Sequence, residues 1–262
     1  MHIVVLVKPV PDPAAAAERL GPDGRLDRAA SPAVVNANDE YALEAALKLV
    51  AEHGGEITVV SMAAGSAPET MRKALAMGAD RGIHVIDPAL AGSDTLSTTR
   101  VLAAALRDLG ADLILAGADT SDGGGGVVAP GVATLLGLPF LSYASKIEPD
   151  PGAGTVRVRR ISAVGYDVLE APMPALIGCT QALGEPRYPS LKGIMAARSK
   201  EIATRTLADV GLDDGTVGGS AAATRVVGSE KPPARAATRV VRGTPEEAAD
   251  ELVAFLAERR II

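Results

Sequence analysis

The apolar residues in the first 140 positions form short runs separated by longer amphipathic segments. Short continuous apolar runs are typical of strands that a sheet buries on both faces. Segments with apolar residues three and four positions apart are typical of the helices that cover such a sheet. The strands predicted from these runs are 2–7 (HIVVLV), 57–61 (ITVVS), 83–86 (IHVI) and 112–116 (DLILA).

Most of the predicted helices begin beside a residue whose side chain can accept a hydrogen bond from the first helical N–H groups. Because short loops join these helices to the strands, the pattern predicts a parallel sheet with helices on both faces. The predicted helices are one up to Gly54 capped by Asn38 or Asp39, one up to Met77 opened by a capping box at Ser66, one towards Leu109 capped by Asp94, and one up to about Leu136.

The pattern changes after Pro139. Residues 155–162 (TVRVRRIS) and 164–170 (VGYDVLE) alternate between apolar and polar positions around a turn signal, and 174–178 (PALIG) is apolar again. Such segments predict antiparallel strands that extend the sheet.

The last fifty residues differ from the rest of the chain. Residues 209–235 are poor in large apolar side chains and rich in Gly, Ala, Ser, Asp and Pro, so they cannot form a core of their own. Thr244, followed by Pro245 and two glutamates, then predicts the start of a final helix. The pattern predicts an arm, and it leaves open whether this arm docks on a partner or on its own domain.

Composition excludes several classes of function. A net charge of −6 argues against nucleic-acid binding, which needs basic surfaces. The single cysteine, Cys179, excludes an intrachain disulfide and a multi-cysteine metal site, and the three histidines lack metal-ligand spacing. Without a signal-like N-terminus or a long apolar run, we expect a cytoplasmic protein with no transmembrane segment.

The segment 117–131 (GADTSDGGGGVVAPG) contains four consecutive glycines between a predicted strand and a predicted helix. Ligands of parallel sheets bind beyond the carboxyl ends of the strands. Glycines there allow backbone N–H groups to approach a phosphate, and the helix N-terminus adds partial positive charge. A flexible linker has the same composition, so both interpretations stay open at this point.

Two features argue against nucleotide hydrolysis. No lysine adjoins the glycines to reach a terminal phosphate. The exit of the first strand, 8–12 (KPVPD), lacks the glycine–serine loop that ATP pyrophosphatases of similar topology carry there. Since the sequence also offers no nucleophile with a neighbouring base, we expect no enzymatic activity.

Four stretches together resemble the β subunit of electron transfer flavoprotein. They are VVLVKPVPD at 4–12, VNANDEYALEAALKL at 35–49, MRKALAMGADRGIHV at 71–85 and GEPRYPSLKGIMAARSKEI at 184–202, of which the last two are specific. The resemblance covers residues 1–210 in order and without large gaps.

Pattern and resemblance together predict an α/β fold. We expect a doubly wound, mostly parallel Rossmann-like sheet, of the adenine nucleotide α-hydrolase-like type, with an antiparallel extension and a C-terminal arm. Residues 1–208 would form the nucleotide-binding domain, with a recognition loop at 184–200. Residues 209–262 would form the arm that ends in a helix.

The resemblance implies that this chain binds an AMP with a structural role, or an FAD as in electron-bifurcating relatives. The redox-active FAD is held mainly by the partner α subunit in that family. The implied nucleotide contacts are Leu6, Asn36, Ala37, Asn38, Asp39, Met62, Asp122, Gly123, Gly124, Gly125, Gly126, Val127, Val128 and Ala129, the last eight in a run that extends to residue 133.

The resemblance also implies a docking site for flavoprotein dehydrogenases such as acyl-CoA dehydrogenases. In the family the central leucine of the recognition loop enters a pocket of the dehydrogenase, and electrons then pass to the electron transfer flavoprotein–quinone oxidoreductase. The implied docking residues are Arg187, Leu191, Lys192, Ile194 and Met195. An alternative from another class is a stand-alone nucleotide-binding protein of the universal-stress type.

Overall fold

The computed structural model of the 262-residue chain describes residues 1–15, 20–30, 32–65, 67–230, 233 and 240–262. The strands are β1 (His2–Leu6), β2 (Pro9–Pro11), β3 (Ala33–Val35), β4 (Glu56–Met62), β5 (Arg81–Val85), β6 (Leu113–Gly117), β7 (Phe140–Asp150), β8 (Thr155–Ser162), β9 (Gly165–Pro172), β10 (Ala175–Cys179) and β11 (Ile202–Arg205). The α-helices are α1 (Ala37–His53), α2 (Ala67–Met77), α3 (Thr95–Leu106), α4 (Val128–Leu136), α5 (Leu191–Ala197) and α6 (Pro245–Glu258).

Within the part of the chain that the structure describes, nine strands form one mixed sheet in the order β11-β5-β4-β1-β6-β10-β7-β8-β9. The pairs from β11 to β7 are parallel, whereas β8 and β9 pair antiparallel beyond β7. This arrangement confirms the predicted α/β class, with its mostly parallel sheet and antiparallel extension.

The core lies on both faces of the sheet because successive residues of a strand point to opposite sides. In β1, Ile3 and Val5 face the cluster formed with α1 and α2, whereas Val4 and Leu6 face the cluster formed with α3 and α4. Burial on both faces explains why β1 is apolar at every position after His2.

One strand prediction was wrong in its direction. The apolar run at 174–178 forms β10, which lies between β6 and β7 and is parallel to both. All five residues of β10 are buried. A continuous apolar run is typical of such a central parallel strand, and that signal outweighs the proximity in sequence to the antiparallel hairpin.

Other elements were not predicted from the pattern. β7 has half-exposed positions and contains Pro149, and β11 is a short edge strand, so neither produces a strong apolar run. Within the excursion after β1, β2 and β3 pair as a small antiparallel sheet. Both strands of that sheet are only three residues long.

Helix boundaries follow the caps with some shifts. Asp94 caps α3 as predicted, accepting a hydrogen bond from the N–H of Ser97 at 2.9 Å, but α3 ends at Leu106. The N-cap of α1 is Asn36, not Asn38 or Asp39, because the latter two already belong to the helix. Ser66, predicted to open α2, lies outside the described residues.

The chain divides into two compact units, Met1–Val227 and Gly228–Ile262. In the second unit, α6 begins after Thr244 as predicted, and the structure adds a capping box in which Thr244 and Glu247 each accept from the other's N–H. The predicted start of an arm at residue 209 stays a prediction. Among the described helices, none combines the length and the apolar character that crossing a membrane requires.

The topological switch point of the sheet lies between β1 and β6. The chain runs from β1 outwards to β4 and β5 on one side, and then returns to β6 on the other side of β1. Ligands of open α/β sheets bind in the crevice at this point, beyond the carboxyl ends of the strands. Lys8, which follows β1, lies there, and so do residues 118–127, which join β6 to α4 and which we call the glycine loop.

Candidate functional site

A buried carboxylate joins the ends of β1 and β6. Asp39, in the first turn of α1, accepts hydrogen bonds from the N–H of Lys8 at 2.8 Å and from the N–H of Gly117 at 3.1 Å. A Cβ added to Gly117 would lie 2.4 Å from Oδ1 of Asp39, so only glycine allows this approach. Asp39 therefore forms the floor of the crevice.

The environment of Asp39 favours its protonated form. Burial removes the carboxylate from water and raises its pKa to about 7, although the N–H groups of Lys8 and Gly117 and the side chain of Asn36 act in the opposite direction. Cys179, which ends β10, is also buried, and burial together with Asp39 raises the pKa of its thiol. A thiol in this state is not a nucleophile.

Two asparagines fix the first half of the glycine loop to α1. The buried Asn36 donates to the carbonyl of Asp119 at 2.9 Å and accepts from the N–H of Ser121 at 3.2 Å. Asn38 donates to the Asp119 carboxylate at 2.6 Å. These bonds join two of the predicted contact residues, Asn36 and Asn38, to the loop, beside Asp39.

Asp122 is clamped between two cations from distant parts of the chain. Its side chain is 1% exposed and accepts from Nζ of Lys8 at 2.8 Å and from Nη2 of Arg28 at 2.5 Å. Burial would raise the pKa of Asp122, but the hydrogen bonds and charge of these cations, with Thr120, lower it to about 2. The carboxylate is therefore ionised at neutral pH.

The fold supplies the lysine that the local sequence lacked. Nζ of Lys8 also donates to Oγ1 of Thr120 at 3.3 Å, and a Cβ built on Gly123 would lie 3.8 Å from it. Lys8 and Arg28 were not among the predicted site residues. Lys8 directly follows the predicted strand 2–7, which as β1 pairs with β6. This position at the carboxyl end of a strand is the sequence signal that could have identified Lys8.

The second half of the loop is an open stretch of backbone. Gly123 to Gly126 are exposed, and an added Cβ at Gly124 or Gly125 would meet no atom closer than 4.0 Å. Gly124 and Gly126 have φ of +56° and +63°, which favours glycine. The four glycines thus form an exposed stretch of backbone with few side chains around it, in which the N–H of Gly124 donates to the carbonyl of Thr120 at 2.7 Å.

This open stretch leads directly into α4. The residue before the helix, Val127, has an apolar side chain that cannot satisfy the first N–H groups of α4. Such an N-terminus favours an anion. Since Asn36, Asn38, Lys8 and Arg28 bond residues 119–122, and since the loop connects β6 to α4, the linker interpretation loses its support.

Three predicted contact residues have their side chains in the core. The side chains of Leu6, Met62 and Ala129 pack against the α3 and α4 cluster of the core. Leu6 and Met62 end β1 and β4, so their backbones reach the carboxyl edge of the sheet. Ala37, Val127 and Val128 lie at the starts of α1 and α4 around the crevice.

The predicted docking loop carries an exposed apolar face on α5. Leu191, Ile194 and Met195 are 76%, 46% and 64% exposed and follow helical spacing. Ser190 caps α5 by accepting from the N–H of Gly193 at 3.0 Å. We call this face, Leu191, Ile194 and Met195, the apolar ridge; the predicted Lys192 is exposed beside it.

The helix that carries the apolar ridge is fastened to α2. A Cβ on Gly193 would lie 2.3 Å from the carbonyl oxygen of Ala76, so α5 rests directly on the backbone of α2. Arg72 of α2 donates to the carbonyls of Ala197 and Lys200. In return, Nζ of Lys200 donates to carbonyls near the end of α2. The ridge is thereby held in one orientation.

Comparison with known proteins identifies the class of molecule that shares these features. Residues 23–210 match the electron transfer flavoprotein domain. Over 268 residues the chain is 38% identical to electron transfer flavoprotein subunit beta of Mycobacterium tuberculosis, which covers 100% of this chain and 99% of that protein. The chain belongs to the electron transfer flavoprotein family.

Other relatives agree with this family. Electron transfer flavoprotein subunit beta of Clostridium acetobutylicum is 35% identical over 263 residues, which covers 100% of both chains. Protein FixA of Azorhizobium caulinodans is 40% identical over 221 residues, 82% of this chain and 78% of FixA. The resemblance predicted from the four motifs, to the β subunit of electron transfer flavoprotein, is confirmed. The match to the electron transfer flavoprotein domain spans α1, the glycine loop and α5, whereas Lys8 precedes it.

Proposed function

We propose that this chain is the β subunit of a heterodimeric electron transfer flavoprotein and acts as an electron carrier without catalytic residues of its own. Likeness along the whole chain to proteins named subunit beta supports an α-type partner. The same likeness favours this role over a stand-alone protein of the universal-stress type. When bound, an FAD held mainly by the partner subunit supplies the redox centre between a flavoprotein dehydrogenase and a quinone oxidoreductase.

The crevice between β1 and β6 is the proposed site of an AMP, or of an FAD in its place. The open backbone of Gly123 to Gly126 and the N-terminus of α4 suit a phosphate group, and Nζ of Lys8 lies beside them. Asn36 holds the first half of the loop, and Asp39 holds the end of β6 below it. These groups bind and orient, and none of them is arranged to break a phosphate bond.

The observation that carries the docking role is the apolar ridge. Three large apolar side chains stand exposed on a short helix that is fastened to the domain, which is the arrangement of a preorganised binding site. We propose that Leu191 enters an apolar pocket of the dehydrogenase. The exposed Lys192 and Arg198 would assist the encounter with an acidic partner surface.

A kinetic experiment on the heterodimer tests this role. Leu191→Ala is expected to raise KM for the dehydrogenase about tenfold, since burying a leucine side chain contributes roughly 1.5–3 kcal/mol. Leu96→Ala, which shortens another exposed leucine on a helix, serves as the matched control. Equal KM values for the Leu191 variant and the wild type would contradict the docking role.

Purification tests the partner and the ligand. The chain is expected to co-purify with a yellow α-type subunit and to release AMP or FAD, in about equal amount to the chain, on denaturation. Chromatography of the released nucleotide distinguishes the two. A colourless homodimer that releases ATP would contradict the proposed function.

A further inference from the structure

A single carboxylate of α1 holds the segment that precedes the apolar ridge. Glu44 accepts from Nε of Arg187 at 2.8 Å, from Nη2 of Arg187 at 3.1 Å and from the backbone N–H of Arg187 at 3.2 Å. The two side-chain bonds form a fork between the guanidinium and both carboxylate oxygens, the strongest geometry for this pair. The third bond fixes the backbone as well as the side chain.

The pair is ionised under ordinary conditions. Burial of Glu44 would raise its pKa, but the hydrogen bonds and the charge of Arg187, with Lys48 nearby, lower the pKa instead. The bonds to Glu44 raise the pKa of Arg187 in turn. Glu44 is 5% exposed, so removing Arg187 would leave a buried carboxylate without its main counter-charge.

The place of Arg187 in the loop makes this bond important for the ridge. Arg187 lies between the short 3-10 helix Gln181–Leu183 and Ser190, the cap of α5. Arg72, Lys200 and the close contact at Gly193 hold the other side of α5. Glu44 is thus the fixed point on the N-terminal side, and the two sides together set the direction of the ridge.

We propose that Glu44 is a positioning residue for docking: it acts through Arg187 to hold the loop before α5 in its binding conformation. The inference deepens the proposed docking role and rests on it. Arg187 was predicted as a residue that contacts the partner. In this proposal its guanidinium serves the loop instead, because its fork is already occupied by Glu44.

The first test is Glu44→Gln, which keeps the shape of the side chain and removes its charge. Ordering a loop of this kind is worth about 1 kcal/mol, so we expect KM for the dehydrogenase to rise about three- to tenfold with kcat unchanged. Hydrogen exchange of the amides at 185–190 should become faster, while the released nucleotide stays the same. Glu56→Gln, which breaks another Arg–Glu pair with Arg81, is the control for both measurements.

The second test separates an action through Glu44 from a direct contact of Arg187 with the partner. If Arg187 serves only the loop, Arg187→Gln raises KM as much as Glu44→Gln, and the double variant is no worse than either single variant. An additional rise of KM in the double variant would overturn the proposal. If Glu44→Gln fails to fold, Arg187→Gln removes the same pair, and its KM and its exchange at 185–190 are measured instead.

Hydrogen exchange distinguishes a failure of the Glu44 proposal from a failure of the docking role. If Leu191→Ala leaves KM unchanged, the docking role fails, whereas faster exchange at 185–190 in Glu44→Gln would still show the loop to be held by Glu44. If Leu191→Ala raises KM but Glu44→Gln changes neither KM nor exchange, the inference about Glu44 is wrong and the docking role stands.

Discussion

Two aspartates of the crevice have opposite pKa shifts because their surroundings differ. Asp39 is buried between backbone N–H groups and its pKa rises to about 7, whereas Asp122 meets two cations and its pKa falls to about 2. Desolvation dominates in the first case and charge pairing in the second. Their contributions to stability therefore depend on pH in opposite senses.

Asp39 is expected to make the protein less stable as pH rises from about 4 to about 7. In this range the folded state keeps a proton that the unfolded state has lost, so the free energy of unfolding falls, by at most about 1.4 kcal/mol per pH unit. In Asp39→Asn this slope should vanish. Urea denaturation of both proteins at several pH values measures the difference, and parallel curves would contradict the raised pKa.

Asp122 should act in the opposite sense at acid pH. Its ion pairs stabilise the folded state above about pH 4, and this stability is lost as pH falls towards 2. We expect Asp122→Asn to lower the free energy of unfolding by about 1.5 kcal/mol at pH 7, with a smaller loss at pH 2 to 3. Asp108→Asn, at an exposed position outside the crevice, is the control.

At the scale of elements, the helices were predictable where the signal is local. The caps of α3 at Asp94 and of α6 at Thr244 act within four residues, and both N-cap residues were found from the sequence. The start of α1 was missed because Asn36 bonds Asp119 and Ser121, which are distant in sequence. When the side chain of an N-cap residue bonds a distant loop and not its own helix, the local sequence shows no capping pattern.

The contact between α5 and α2 gives a prediction for one glycine. In Gly193→Ala the new methyl group would press on the carbonyl of Ala76, so we expect α5 to lose protection from hydrogen exchange and stability to fall by about 1–2 kcal/mol. Gly215→Ala adds the same group where no atom lies within 4 Å. Equal effects of the two substitutions would show that α5 does not rest on α2.

At the scale of the whole molecule, Asp94 joins the start of α3 to residues 223 and 224 of the same compact unit. Asp94 caps α3 through one oxygen and, through the other, accepts from the N–H of Ala223 at 2.8 Å, from the N–H of Thr224 at 3.0 Å and from the hydroxyl of Thr224 at 3.2 Å. The bond to Ser97 leads the contributions that lower the pKa of Asp94 to about 2.

These two tasks of Asp94 can be separated by substitution. Asp94→Ser keeps a cap for α3 but is too short to hold residues 223 and 224, whereas Asp94→Ala loses both. We expect faster proteolysis near residue 223 in both variants, and an additional loss of about 1 kcal/mol in stability only in the alanine variant. If the serine variant resists protease like the wild type, the bonds from Asp94 to residues 223 and 224 contribute little to holding this segment.

The sequence by itself determined the layers of the fold and the family. Buried parallel strands need apolar side chains on both faces, so β1, β4, β5 and β6 are visible as apolar runs. The glycine loop is visible as a contiguous segment of unusual composition, and the ridge residues were found through the resemblance of residues 184–202 to a family motif.

Only the tertiary structure decided which separate segments meet. The pairing of β10 with β6 and β7, the approach of Lys8 and Arg28 to Asp122, and the fork between Glu44 and Arg187 all join residues far apart in the chain. Each depends on the order of strands and helices around the sheet. The local sequence pattern does not reveal that order, because these contacts stabilise the protein only when the whole sheet has formed.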